Sequence, residues 1–157
     1  MGTYEWLLLF HLLGAFLFVS GAAVAAVLQL AAMRRERPGE IAALLGAIRA
    51  GVLLVVVGSV LLLLFGIWLA EHRGYGLGEG WVSLAFGLFV LAAVLGGVAG
   101  RHDKGTRKLA VRLAEDGDRP NPELQRRLRN PVPLALNYGS GALVLAILVV
   151  MVWKPSL

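Results

Sequence analysis

Four long apolar stretches, separated by polar connections, dominate the chain: Tyr4–Met33, Ile41–Ala70, Trp81–Gly100 and Leu134–Trp153. Each reaches the ~20 residues that an α-helix needs to cross ~30 Å of hydrocarbon. The first two are longer, which predicts tilt or projection beyond the bilayer. Arg49 lies two turns into the second stretch, so its buried span is expected to begin near Gly51, with Gly39–Ala50 as a helical extension. Pro38 suits the first turn of that extension, because its missing amide would be unpaired there anyway. The first stretch lacks a basic leader and exceeds the ~7–15 apolar residues of a cleavable signal core, so it reads as a retained span.

The polar positions between the stretches orient them. Arg34, Arg35, Arg37 and Arg49 fall between spans one and two. Nine more Lys and Arg residues, from Arg101 to Arg129, fall between spans three and four. Thirteen of the fifteen basic residues therefore lie on one face, leaving Arg73 and Lys154 on the other. The positive-inside rule places the basic connections in the cytoplasm and both termini outside. Trp6, Trp68, Trp81 and Trp153 all fall at the outer ends, as an aromatic belt would. The reading is an all-α, single-domain, multi-pass protein of the bacterial inner membrane, a four-helix bundle in contact with the lipid bilayer.

The connection 101–130 carries its own pattern. Leu109 and Leu113 share one side of 106–115 among Arg107, Lys108 and Arg112. Asn121-Pro122-Glu123 is a helix start, with Leu124 and Leu128 on one face until Asn130-Pro131 stops it. This predicts a short amphipathic cytoplasmic helical hairpin, lying on anionic headgroups or forming a solvated loop.

Composition changes the picture little. Of 157 residues, 58% are hydrophobic and 16% charged, more apolar surface than a soluble domain of this size can bury. The net charge of +5 suits topology rather than nucleic acid, since it sits in the connections. The absence of cysteine excludes disulfides and thiolate metal sites. Gly74, Gly76, Gly78 and Gly80 follow no strand and depart from a nucleotide-loop spacing, so they read as a turn. The serines lack a His/Asp pairing and no span centre holds a carboxylate, so no hydrolytic arrangement is visible and a non-enzymatic role is favoured over an enzymatic one.

Candidate chemistry centres on His11, about two turns below the outer surface. Its helical period runs through Gly14, Phe18, Gly21 or Ala22, Ala25 and Gln29, a stripe of mainly small and polar residues expected to face the bundle interior. Gly58, Gly66, Gly87, Gly96, Gly97, Gly100, Gly139, Ser140 and Gly141 are expected close-contact points on the other spans. Three readings of His11 compete: a ligand for haem iron or copper, a proton relay, or a hydrogen bond that locks helix pairing. Glu71, His72 and Met151 share its leaflet and could complete a copper-type set. His102 lies at the opposite face, and Asn137 and Tyr138 read as helix-contact residues.

The opening Leu8-Leu9-Phe10-His11-Leu12-Leu13-Gly14-Ala15 resembles the first helix of a family of uncharacterised bacterial integral membrane proteins. So do the small-residue stripe with Gly21, the basic turn after it, and Gly66-Ile67-Trp68-Leu69. That family is related to the copper-resistance protein D membrane domain and to HemJ-type protoporphyrinogen oxidases. The resemblance implies haem b or copper at His11, for electron transfer or metal and haem handling. This chain has no second histidine inside a span, so a second haem ligand would come from His72 or from a homo-oligomer. The alternative reading is an accessory subunit of a larger membrane complex in which His11 is structural.

Overall fold

Prolines and capping residues decide where the helices start. The computed structural model describes residues 2–75 and 79–154; the glycine turn's residues 76–78 lie outside the described residues. Five helices follow in order: α1 Thr3–Ala32, α2 Pro38–His72, α3 Gly80–Glu115, α4 Pro122–Leu128 and α5 Pro131–Trp153. Three of them open on proline, where the lost amide has no intrahelical partner to miss. Asn121 caps α4 by accepting from the Glu123 and Leu124 amides at 2.8 and 3.2 Å. Asn130 caps α5 by accepting from Val132 at 3.0 Å.

The chain is an all-helical integral membrane protein in which four helices are long and apolar enough to cross a membrane. The outer faces of α1, α2, α3 and α5 leave large apolar side chains uncovered, among them Phe16 at 71% and Leu53 at 63% exposure. In water such faces would be untenable; in lipid they are the solvated surface.

What joins these helices is smallness rather than bulk. In the antiparallel α1–α2 pair, Gly14 and Gly21 meet Gly58 and Gly51. A Cβ at Gly58 would lie 2.5 Å from the Phe18 amide nitrogen, and one at Gly21 would lie 2.5 Å from the Gly51 carbonyl. The α3–α5 pair uses alanine instead: Ala85, Ala92, Ala99 and Thr106 are all buried on one face of α3. Ser140 of α5 donates to the Ala92 carbonyl at 3.0 Å. In both pairs the small residues recur every seven positions, the spacing that keeps one face on its neighbour through a left-handed crossing. The expected glycine contacts on α3 are therefore corrected: a Cβ at Gly87, Gly97 or Gly100, or at Gly141 of α5, would meet nothing within 4 Å. Gly96 alone approaches α5, with a Cβ 3.4 Å from the Ser140 hydroxyl. Asn137 hydrogen-bonds Asp103, the helix-contact role expected of it. The two pairs join mainly through α2 and α3, while α1 and α5 do not form a packed pair.

The basic end is built differently. No proline interrupts 81–119, so α3 runs unbroken from its apolar half through Arg101 to Glu115, and 106–115 is its last three turns rather than a separate arm. Gly117, at φ +111°, and Asp118, at φ +52°, end it, with the Asp118 amide bonded to the Leu113 carbonyl. The α4 helix then folds back, and Leu124 and Leu128 bury fully against Ala32, Ile41, Leu45 and Ala110. The apolar sides of this connection thus point into a protein core, not onto headgroups. Two polar clamps close it: the Gly39 amide donates to Asp118 Oδ1 at 2.6 Å, and Gln125 Nε2 donates to the Arg35 carbonyl at 2.7 Å.

Candidate functional site

The glycines that draw α1 onto α2 also fix His11. Near the tryptophan end the imidazole lies across Gly66, whose missing side chain makes room for it: a Cβ there would sit 3.0 Å from the ring. His11 Nδ1 lies 3.3 Å from the Leu62 carbonyl oxygen. A carbonyl can only accept, so Nδ1 carries the proton, and in the uncharged ring Nε2 keeps its lone pair. Nε2 has no hydrogen-bond partner among the described residues.

His11 forms part of the wall of a partly open cavity of about 470 Å³ bordered by α1, α2, α3 and α5. That volume falls within the roughly 300–1,000 Å³ of small-molecule sites. The cavity exists because α1 and α5 stand apart while each packs on its own partner. Its depth is apolar and aromatic, with Phe18 and Phe89 in tilted contact at 6.0 Å and Leu8, Ile147 and Met151 nearby. Its rim is cationic and aromatic. Arg73 lies 4.2 Å from the centre of the Tyr4 ring, and a hydrogen bond to Tyr4 raises its already high pKa further. Lys154 lies 5.5 Å from the rings of both Tyr75 and Trp81. Each pair is a cation–π contact, in which the ring face steadies the charge without neutralising it.

Of the residues singled out from sequence, His11 and Met151 both line this cavity. His72 and Glu71 are exposed at the end of α2 and are not among its walls; His72 stacks on Tyr4 at 6.5 Å instead. Among the described residues no three His, Asp or Glu side chains are grouped to hold a metal ion. His102, as expected, is exposed at the basic end. Sequence reasoning missed Tyr4, Arg73 and Lys154. Arg73 and Lys154 were nonetheless the two cations on the face with few others, and that isolation was the available signal.

No curated protein matches the chain, and neither does any solved structure. Residues 5–155 match a family described as "Predicted integral membrane protein (DUF2269)", nearly the whole length, including His11, the cavity walls other than Tyr4, and the basic cap. The chain therefore belongs to that family of integral membrane proteins.

Proposed function

We propose that the protein holds haem b in the cavity at its tryptophan end, where His11 Nε2 would bind the iron, and serves electron transfer or haem handling. One observation carries the reading: His11 gives its Nδ1 proton to the Leu62 carbonyl and leaves Nε2 unengaged at a cavity wall. Haem- and metal-binding histidines are commonly oriented this way, with the non-ligating nitrogen bonded to a carbonyl that fixes ring and tautomer. The rest of the donor set fits as well. The apolar walls suit a porphyrin body, and Arg73 and Lys154 at the rim suit its two propionates. Bound there, haem would supply a one-electron ferric–ferrous couple. The resemblance to proteins related to copper-resistance protein D and HemJ-type oxidases points the same way.

Copper fits less well, since among the described residues His11 and Met151 are the only soft or borderline donors on the cavity. With His72 outside the cavity walls, a second histidine within the protomer is not at hand; Met151 on the same cavity or a homo-oligomer would supply the second ligand. The charge distribution supports a bacterial inner-membrane location with both termini outside.

A second reading has its own support. The ring of His11 packed on Gly66 and bonded to Leu62 would lock α1 to α2 in an accessory subunit that binds no cofactor. Purification in mild detergent separates the two. The haem reading expects a Soret band and stoichiometric iron in the wild type, both lost in His11→Ala. A colourless, iron-free wild type that co-purifies with other subunits, and a His11→Ala variant that merely melts earlier, would favour the structural lock.

A further inference from the structure

We infer that the basic end carries a binding site for an anionic phospholipid headgroup, where the α1–α2 turn meets α4 and the start of α5. A pocket of about 780 Å³ opens there. Arg34 and Arg35 stand on one wall and Arg126 and Arg129 on the other, with Glu36 the one carboxylate among the lining side chains. Arg35 is partly engaged by Glu40 at 3.6 Å. Arg34, Arg126 and Arg129 have no carboxylate within 4 Å among the described residues. Membrane orientation requires only that positive charge lie on this side. It does not require that arginines some ninety positions apart converge on one pocket, and the bond from Gln125 to the Arg35 carbonyl holds the two walls together.

The position of the pocket selects the ligand. The pocket lies where α1 ends at Ala32 and α5 begins at Pro131, so it sits at the boundary of the apolar helices. Beside it, Val27 and Leu30 of α1 and Val132 of α5 are exposed, and α1 and α5 do not pack together. A phosphodiester held by arginines, with acyl chains running down these open flanks, satisfies both features. A free phosphate would use only the first. This site is independent of the cavity at the other end.

The test uses the full-length protein, delipidated in detergent, with phosphatidylglycerol, phosphatidylcholine or inorganic phosphate added and binding followed by native mass spectrometry. The expected result is saturable phosphatidylglycerol binding, with phosphatidylcholine and millimolar inorganic phosphate at least tenfold weaker. Arg126→Gln/Arg129→Gln should weaken phosphatidylglycerol about tenfold. Arg34→Gln, on the opposite wall, should also weaken it, while Arg126→Lys/Arg129→Lys retains most of the binding. Arg101→Gln/Lys104→Gln removes the same charge from the same end outside the pocket and should change binding less than twofold. Equal losses in the pocket and control variants would overturn the site in favour of diffuse surface charge. Phosphate binding as tight as lipid binding would overturn the lipid assignment. Should Arg126→Gln/Arg129→Gln fail to fold, Arg34→Gln alone decides, and unchanged binding in it counts against the site.

Discussion

The two ends of this molecule are held together by opposite means. At the basic end, Leu124, Leu128, Ile41 and Leu45 close a core as a water-soluble domain would, large side chains out of solvent and polar clamps at the edges. In the spanning half the large side chains face outward, and the helices meet through glycine, alanine and serine. The difference follows from the solvent. Water drives leucines together, at about 1.5–3 kcal/mol for each side chain fully buried. Lipid tails are as apolar as leucine and offer no such drive, so close backbone approach and interhelical hydrogen bonds remain. A consequence reaches the site. Pairwise packing on small residues draws α1 to α2 and α5 to α3, and the space left between α1 and α5 becomes the cavity.

The contrast can be broken most forcefully at Leu124. Leu124→Ala should lower stability by about 2–5 kcal/mol, read as a fall in the thermal unfolding midpoint in detergent. If the connection were a loose loop, the midpoint would hardly move. Gly58→Val comes next, with an expected loss of about 1–3 kcal/mol or more, because its Cβ would press on the Phe18 backbone rather than on a yielding side chain. Gly87→Ala, with open space around it, should cost nothing measurable, so equal effects at the two glycines would refute seven-residue packing. Asp118→Ala should cost about 1–2 kcal/mol, since it removes the acceptor for the Gly39 amide at the positive start of α2 and a residue suited to a left-handed turn. Phe16→Ala marks the small end of the series. At 71% exposure it should change the midpoint by less than ~0.5 kcal/mol, whereas a large loss would mean that protein, not lipid, covers that face.

Much of this was legible in the sequence, because a membrane imposes strong rules. Runs of twenty apolar residues can do little else, and all four became helices, three of them with nearly the expected bounds. Pro38 and Asn121 announced their helix starts, whereas Asn130-Pro131, read only as a stop, also opens α5. The α3 continuation was missed because the basic residues from Arg101 on read as the start of a separate connection, although no helix-stopping residue stood there. Glycine content misled on α3, since a glycine marks where close approach is possible but not which face receives it. The alanines at 85, 92 and 99 carried that information in their spacing. The partners of Leu124 and Leu128 are some eighty residues away in α2, beyond what local pattern reaches. At the site, depth grouping put His11 and Met151 together, and both line the one cavity. It also grouped His72 and Glu71, which lie outside the cavity walls, since sharing a leaflet does not mean sharing a cavity. It passed over Arg73 and Tyr4, whose pairing exists only once α1 lies against α2.

The reading of His11 as a ligand rests on its unengaged Nε2, and a titration tests that directly. Haem b is added to the purified wild type, Arg73→Gln and His11→Ala in the same detergent, with the visible spectrum followed to saturation. The account predicts a sharp, saturable Soret shift in the wild type, weaker affinity with the same spectrum in Arg73→Gln, and no such shift in a folded His11→Ala. Identical spectra and affinities in wild type and His11→Ala, or no saturable binding in the wild type, would contradict it.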